Sequence, residues 1–499
     1  MTAQLTKSKN KQYLLTTFLS VFLVGCVDTS RSFMEKAQQP LRYESEKYLS
    51  SPEENLYAEH NETLKEQYDL ADLIDVAQKN NPETRIAWEL AKKAAVDVGM
   101  VESTYLPVIT ATALSGYQRG TVKLPHNDLV DKIDVSNHVF IPAVTFQWLL
   151  FDFGKRESLA NAAKHAALAS DLNFNLLHQK VIHDVTTAYY TYGAAQKKNK
   201  ITAESLARSK NVLYAVEQKK ARGLATVLDV ALAKQQVAQL EFQSVLAAGK
   251  EKDQYQLLLS SIGMSPLQSI NIQYSDKDVL PDDIAPLTHE RIRNALAQRP
   301  DVLSNYELMQ AAMKTTQSVE SDYFPKVYLA GAVAGGNSSL DVQGLPGINQ
   351  STSSSNILLG VSIPLYEGGI RQARMKNAQS DILIAQENLR KSQELAIREM
   401  SLTENALKSA LEAHKAAKNL VETTQLSYTA SVDFYHNGLG TVTEINAAAE
   451  INAAEIALFT AELARIDAYT GSVIAAVDLA FSLGEIEKAL PRYEQAKAK

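Results

Sequence analysis

The chain of 499 residues carries a formal net charge of −7, and 45% of its residues are hydrophobic. This composition supports a large buried core. The negative charge is opposite to the clustered positive charge that nucleic-acid binding requires, so no nucleic-acid partner is expected. A mean hydropathy of −0.18 is too polar for a bundle of membrane-spanning helices. The single cysteine, Cys26, excludes an internal disulfide and a multi-thiolate metal site.

The amino-terminal segment has the layout of a secretory signal. Three lysines at residues 7 to 11 precede an apolar run from Tyr13 to Val24, which is shorter than the roughly 20 apolar residues of a transmembrane helix. The run ends in the tetrapeptide Leu23–Cys26, which resembles a lipobox, in which the cysteine is acylated and becomes the first mature residue. We predict a lipoprotein signal peptide over 1–25, a lipid anchor at Cys26 and a polar linker over 26–65. Residue 27 is valine rather than the aspartate that commonly retains lipoproteins in the inner membrane, so we predict localisation at the outer membrane. The alternative is a plain signal peptide with an incidental cysteine.

The sequence contains two copies of one unit. Four landmarks recur in the same order, at an offset of 218 residues early in each copy and 215 residues further on. The pairs are Pro82 and Pro300, Tyr105–Pro107 and Tyr323–Pro325, Phe151–Gly154 and Tyr366–Gly369, and Gly223–Val227 and Gly438–Val442. A period this long indicates a domain duplication rather than a solenoid. We assign the first repeat to 66–285, the second to 286–484 and a carboxy-terminal tail to 485–499.

Each repeat predicts a helix, two strands, a long helix, a turn and a second long helix. In the first repeat, Pro82 lies near the start of a helix that runs to about Ser103. Runs rich in β-branched, aromatic and small residues then predict strands at Val108–Gln118, Val139–Leu150, Val327–Gly335 and Ile357–Leu365. Polar loops are predicted over 119–137 and 336–356. Each strand has about ten residues, close to the length of a membrane β-strand.

Long helices dominate both repeats. Gly154 and Gly223 are 69 residues apart, and so are Gly369 and Gly438. A continuous helix of that length spans roughly 100 Å and needs lateral partners along its whole length. Mostly apolar residues recur at alternating steps of four and three from Ile445 to Ala480, which predicts a coiled-coil seam. Its positions include Ile456, Phe459, Ile466, Thr470 and Val473. The matching arm after Val230 is less regular, which leaves an interrupted helix open there.

The four predicted strands require oligomerisation if they enter a membrane. Four strands cannot close a barrel, and an open sheet edge cannot face lipid. Twelve strands from three chains are even in number and leave an open lumen. We therefore predict an α+β membrane protein, a homotrimer that forms a twelve-stranded β-barrel and a long α-helical barrel reaching into the periplasm. The alternative is a non-channel periplasmic coiled-coil lipoprotein, for which the full duplication has no explanation.

Several short motifs occur once in each repeat. They are the Tyr-x-Pro before each first strand, the stretches Trp148–Gly154 and Pro364–Gly369, and the Gly-Leu-x-Thr turns at Gly223 and Gly438. Together they resemble the TolC-like outer-membrane efflux family over about residues 66–484. The resemblance implies a passive trimeric duct that docks on a periplasmic adaptor protein and an inner-membrane efflux pump to expel small molecules. It implies no catalytic residue, cofactor or metal. The alternative function is that of the outer-membrane channel in type I protein secretion.

The two Gly-Leu-x-Thr turns end the long helices. Gly223 and Gly438 suit the positive φ of a helix C-cap, and Thr226 and Thr441 suit the N-caps of the returning helices. Ordinary helix–turn–helix chemistry explains these residues in part. The family resemblance adds that the tips contact the adaptor, through Gly223, Leu224, Thr226, Gly438, Leu439 and Thr441.

Acidic residues follow both turns at equivalent positions. Asp229 and Glu444 lie six residues past the glycines, and threefold symmetry would make each a ring of carboxylates, which selects cations and narrows a pore. The resemblance implies that Glu444 matches the constriction ring, and that Tyr435 and Asp229 match a polar link that holds the duct shut. Some family members have a second acid one turn after the first and a basic partner for the polar link. The corresponding positions here are Ala447 and Gly440, so we expect a weaker constriction ring and a weaker polar link. The alternative is that both carboxylates favour their own helix N-termini through the dipole.

Overall fold

A computed structural model describes residues 67–123, 132–275, 280, 284–342, 346–437 and 447–486. The predictions at Cys26, Gly438, Leu439, Thr441 and Glu444 lie outside these described residues. The backbone of Tyr435 belongs to a described helix, but its side chain is also outside the description.

Both repeats contain two shorter helices, two strands and two long helices in the same order. The first repeat contains α1 (Leu70–Asn80), α2 (Pro82–Ser103), β1 (Val108–Lys123), β2 (Lys132–Phe151), α3 (Lys155–Ala221) and α4 (Val227–Ser261). The second contains α5 (His289–Leu296), α6 (Pro300–Glu320), a 3₁₀ turn (Ser321–Tyr323), β3 (Lys326–Val342), β4 (Ile348–Ser362), α7 (Ile370–Asn437) and α8 (Ala447–Ser482). The shared order confirms the duplicated unit that the landmarks predict.

Proline marks the starts of α2 and α6. Pro82 and Pro300 each lie in the first turn of their helix, where the missing N–H would have no helical partner in any case. Asn81 caps α2, because its side chain accepts a hydrogen bond from the Glu83 N–H (2.8 Å). The helix predicted from Pro82 to about Ser103 is confirmed.

The long arms are continuous helices. α3 has 67 residues and α7 has 68, so each reaches roughly 100 Å, as predicted. α4 is continuous over its 35 residues, so the interruption left open for that arm is absent from Val227–Ser261. The pairs α3–α4 and α7–α8 pack as antiparallel hairpins, and α3 also packs against α8. We name this α3–α8 contact the inter-repeat seam.

The heptad prediction for α8 is partly wrong. Phe459, Ile466 and Val473 are buried as predicted, but Ile456 is 46% exposed. Ile451 and Leu458, which lie outside the predicted series, are almost fully buried. The reason is that α8 packs against both α7 and α3, so its buried surface is wider than the single stripe of a two-helix coil.

The four strands form one antiparallel sheet in the order β1-β2-β3-β4. They have 15 to 20 residues each, so the predicted strands are too short and most residues predicted as polar loops are paired. The predicted end of the fourth strand at Leu365 is also wrong, because β4 ends at Ser362, two residues before Pro364. Arg119 lies opposite Ser136, and Asn337 lies opposite Ser351. The Ser351 hydroxyl also bonds to the Asn337 side chain (2.9 Å). Backbone hydrogen bonds hold a ladder whatever the polarity of its side chains, so polar composition did not end the strands.

Around Phe146, the two faces of the sheet differ in polarity. Phe146 lies opposite Ile109 on one side and Gly331 on the other. Their neighbours Thr145 and Thr110 pair on the opposite face. Gly331 makes room for the Phe146 ring, because a Cβ at that position would lie 2.2 Å from it.

Both edges of the sheet are open within the chain. Among the described residues, β1 pairs with β2 alone, and β4 pairs with β3 alone. Seven large apolar residues of these outer strands are each at least 60% exposed: Val108, Ile109, Leu114, Ile357, Leu358, Leu359 and Val361. Over the described ranges, no helix packs along either face of the sheet. In the part of the chain that the structure describes, no helix combines the length and the apolarity needed to cross a bilayer.

Candidate functional site

A buried arginine fixes the junction between β2 and α3. The Arg156 side chain is 9% exposed, and its Nε donates to Asp152 Oδ2 (2.9 Å). Its Nη1 donates to the main-chain carbonyls of Leu149 (2.8 Å) and Thr104 (3.1 Å). The guanidinium also lies over the Tyr105 ring, 4.7 Å from the centroid. One side chain therefore joins the end of β2, the start of α3 and the segment between α2 and β1.

The second repeat has an equivalent junction. Arg371 pairs with Glu367 (3.1 Å), donates to the Pro364 carbonyl (2.8 Å) and lies 5.2 Å from the Tyr323 ring centroid. This site is more open, because the Glu367 side chain is 39% exposed whereas its counterpart in the first repeat is 7% exposed. Neither arginine is among the residues that the motifs singled out, although an acid–arginine pair four residues apart follows each second strand.

Consecutive residues with positive φ turn the chain from each second strand into its long helix. The φ angles are 54° at Phe153, 85° at Gly154, 63° at Gly368 and 86° at Gly369. Glycine adopts such angles freely, whereas Phe153 pays a steric cost. Its ring stacks on Phe324, with centroids 5.4 Å apart, and this contact offsets part of that cost.

A buried charged network crosses the inter-repeat seam. Glu455 on α8 is 1% exposed and accepts hydrogen bonds from Ser205 Oγ (2.7 Å) and Arg208 Nε (2.9 Å) of α3. Arg208 Nη2 also donates to Glu462 (3.2 Å). Burial raises the pKa of Glu455, and the Ser205 hydrogen bond and the Arg208 charge oppose that rise without cancelling it. We name these four residues the inter-repeat clasp.

Two further charged contacts cross the same seam. Lys198 on α3 pairs with Asp467 on α8. Nearer the sheet, His183 Nε2 lies 2.6 Å from Asp478 on α8, and its Nδ1 lies 2.9 Å from Asp184. Ion pairs therefore hold the two repeats together at three levels along the long helices.

His183 should make the stability of the chain fall as the pH rises. Burial lowers the pKa of His183, but Asp184 and Asp478 outweigh burial and raise it from 6.5 to about 9. The stabilisation is therefore complete below pH 6.5 and is lost as the pH rises through about 9. Because both carboxylates are partly exposed, we expect a loss of about 1–2 kcal/mol.

Urea unfolding at a series of pH values measures this loss. The free energy of unfolding of the native chain should decline between neutral pH and pH 9, and that of His183→Gln should decline less. An identical pH dependence in the two proteins would contradict the assignment to His183.

The first turn between long helices has the predicted glycine cap. Gly223 has a φ of 76°, and its N–H donates to the Lys220 carbonyl (2.9 Å). The Leu224 N–H donates to the Lys219 carbonyl (2.9 Å), which completes a Schellman motif. The Leu224 side chain is 63% exposed at the tip.

Asp229 belongs to the cap of its own helix. The Thr226 hydroxyl accepts a hydrogen bond from the Asp229 N–H (3.1 Å). In return, Asp229 Oδ2 accepts from the Thr226 N–H (2.8 Å) and hydroxyl (2.7 Å), which forms a capping box. The predicted N-cap at Thr226 is confirmed, and Asp229 is 3% exposed. The lumenal ring and the link to Tyr435 stay predictions; Asp229 Oδ1 has no hydrogen-bond partner among the described residues.

The described side chains offer no metal centre. Within residues 67–486, less the gaps noted above, no group of three or more His, Cys, Asp and Glu side chains could hold a metal ion.

Comparisons with known proteins agree with this architecture. The outer membrane efflux protein family matches over residues 73–264 and again over 291–485. The chain is 24% identical to the outer membrane protein OprJ of Pseudomonas aeruginosa over 417 residues, which are 83% of this chain and 84% of OprJ. It is 22% identical to the probable outer membrane lipoprotein SilC of Salmonella typhimurium, over 74% of this chain and 77% of SilC. The crystal structure of the Campylobacter jejuni CmeC outer membrane channel has a TM-score of 0.68 at 18% identity, over 86% of this chain and 88% of CmeC. With both repeats matched and the duplicated fold shared, the chain belongs to the outer membrane efflux protein family.

Proposed function

We propose that the chain is one subunit of a passive export duct, which crosses the outer membrane and periplasm and expels small molecules. The observation that carries the proposal is a sheet with two open edges on the same chain as two long helical hairpins. Lipid cannot satisfy the N–H and C=O groups of an open edge. Pairing β1 of one copy with β4 of the next removes every edge, and three copies supply twelve strands.

Exposed apolar residues on the long helices support the same assembly. On α4 they include Phe242, Val245 and Leu246, and on α7 they include Leu383, Leu402 and Leu426, each at least 57% exposed. Apolar surface of this extent on a single chain marks an interaction site. In the proposed trimer, α4 of one subunit packs beside α7 of the next and closes the helical tube.

Small molecules are the proposed cargo, delivered by an inner-membrane pump through a periplasmic adaptor. The lipobox-like segment at Cys26 supports this branch, since lipid-anchored members of the family resemble small-molecule efflux channels. The name of the relative SilC, a probable outer membrane lipoprotein, is in keeping with such an anchor. Helices of roughly 100 Å are long enough to cross much of the periplasm.

The tips of the helical hairpins are the proposed docking and gating region. Exposed Leu224, beside the rigid Gly223 turn, is suited to contact the adaptor. We assign the same role to Thr226, Gly438, Leu439 and Thr441, and the gate to Asp229, Glu444 and Tyr435. In this proposal, a carboxylate ring at Asp229 forms when its side chain leaves the capping-box hydrogen bonds and turns toward the lumen.

Disulfide cross-linking tests the closure of β1 against β4. Thr112→Cys in β1 is combined with a single cysteine at Gln350, Thr352 or Ser354 in β4, which the strand register places on the same face as Thr112; Cys26 is the one native cysteine. We expect at least one pair to give covalent dimers and trimers on oxidation in membranes.

An internal strand provides the matched control for this experiment. β3 has partners on both sides, so Thr112→Cys combined with Ala332→Cys should give no intermolecular product. Absence of products from every β1–β4 pair, or equal yields from the β1–β3 control, would contradict the proposed barrel.

A further inference from the structure

A cleft of about 400 Å³ lies on the inter-repeat seam, away from the tip and the sheet. Its walls come from α3, α7 and α8, and Tyr274, from the chain that follows α4, closes one side. The duct function proposed above does not use this cleft. A cavity of this size, bounded by several elements, has the dimensions of a small-molecule site.

The cleft has a positive electrostatic character. Lys197, Lys200 and Arg465 line it, and Glu204 is the one acidic side chain among the described lining residues. Glu204 lies 4.0 Å from Lys200, and both are largely exposed, so the acid offsets only part of the positive charge. Lys200 and Arg465 outweigh Glu204, which favours an anionic occupant.

Two tyrosines give the cleft an aromatic wall. The Lys197 Nζ lies 5.3 Å from the Tyr274 ring centroid and 5.9 Å from that of Tyr469. Tyr274 packs directly on α3 at Gly193, where an added Cβ would lie 2.0 Å from its ring. That close approach holds the Tyr274 ring in place, and aromatic faces beside cations suit a planar ligand.

Two buried polar atoms in the wall lack a hydrogen-bond partner among the described residues. They are Thr470 Oγ1 and His414 Nδ1, and Thr470 is 7% exposed. Burial lowers the pKa of His414, and the charges of Arg465 and Lys418 lower it further, so the imidazole is neutral and donates from one nitrogen. Native proteins seldom leave such atoms unsatisfied, which points to a ligand with polar atoms.

We propose that this cleft binds a small organic anion, a carboxylate on an aromatic body. The carboxylate pairs with Lys200 and Arg465 and accepts a hydrogen bond from Thr470. The aromatic body stacks against Tyr274 and Tyr469. Because its walls belong to both repeats, the occupied site bridges α3 and α8 and stabilises the inter-repeat seam by mass action.

Fluorescence anisotropy of 2-naphthoate, titrated with the detergent-purified full chain, tests the proposal. We expect saturable binding with one site per chain. The double variant Lys200→Gln/Arg465→Gln should weaken binding by about tenfold or more, since it removes both charge-assisted contacts. Thr470→Val, which removes only the hydroxyl, should weaken it by about threefold to tenfold. All three substitutions lie within helices and remove no helix cap, and circular dichroism verifies the fold of each variant.

A control variant that loses a positive charge far from the cleft separates this site from binding to the detergent or to general surface charge. Lys391→Gln lies on α7, roughly 35 Å along the helix from His414, and should leave the affinity unchanged. Neutral 2-naphthamide should bind far more weakly than 2-naphthoate. Non-saturable binding, equal affinity in the double variant, or equal affinity for the amide would overturn the proposal. Complete displacement of 2-naphthoate by inorganic phosphate at equal concentration would overturn the aromatic part of the assignment.

Discussion

Arg156→Ala should lower the free energy of unfolding by about 3–5 kcal/mol, whereas Arg371→Ala should lower it by about 1 kcal/mol or less. In the first junction, Asp152 is 7% exposed and would be left as a buried charge without its partner. In the second junction, Glu367 is 39% exposed, so water solvates the carboxylate once the arginine is removed. The two residues hold equivalent backbone positions, and burial is what separates them.

Urea unfolding followed by circular dichroism measures both changes. Arg390→Ala is a suitable control, because Arg390 lies on α7 with a 67% exposed side chain and its ion-pair partners among the described residues, Glu387 and Glu394, belong to the same helix. Its removal should leave the midpoint unchanged. Equal decreases in the free energy of unfolding for Arg156→Ala and Arg371→Ala would contradict the explanation that burial of the acidic partner sets the cost.

Glu455→Ala should destabilise the inter-repeat seam by about 3 kcal/mol, because it leaves Arg208 half-buried with a single partner and opens a cavity. Glu455→Gln should cost only about 1 kcal/mol, since the amide keeps the shape and the acceptor oxygen. Burial raises the pKa of Glu455, which means that burial disfavours the charged form of this carboxylate. Loss of the charge in Glu455→Gln should therefore cost less than loss of the whole side chain in Glu455→Ala.

Hydrogen exchange measured by mass spectrometry locates this effect. In Glu455→Ala, amides of α3 around Ser205 and of α8 around residue 455 should exchange faster, and those of the sheet should not change. Asp467→Asn, which alters a 64% exposed partner on the same seam, is the matched control and should leave exchange near the clasp unchanged. Uniform acceleration along the whole chain would contradict a local clasp.

Elements set by local chemistry were predictable from the sequence. The Gly223 turn, the Thr226 cap and the Pro82 helix start each depend on residues within one helical turn of one another. The 69-residue spacing between glycines likewise predicted the length of the long helices, because few helix-breaking residues lie between them. Repetition at a nearly constant offset then established the duplicated unit.

Features that depend on distant partners were not predictable. Arg156 bonds to Thr104, 52 residues earlier in the chain, so nothing in its own motif marks it as buried. Ile456 fits a heptad, yet contact of α8 with two helices at once changes which side chains are covered. The strand ends were missed for a related reason, since pairing between Arg119 and Ser136 depends on register rather than on apolar composition.

Single-channel conductance of the purified protein in a planar bilayer tests the duct most directly. We predict stable, cation-selective steps from a species that migrates as a trimer, with larger steps when the proposed constriction ring is removed by Glu444→Ala. A trimer that conducts neither as the native chain nor as Glu444→Ala would contradict a central lumen. Absence of both trimer and conductance would contradict the duct itself and favour a coiled-coil lipoprotein without a channel.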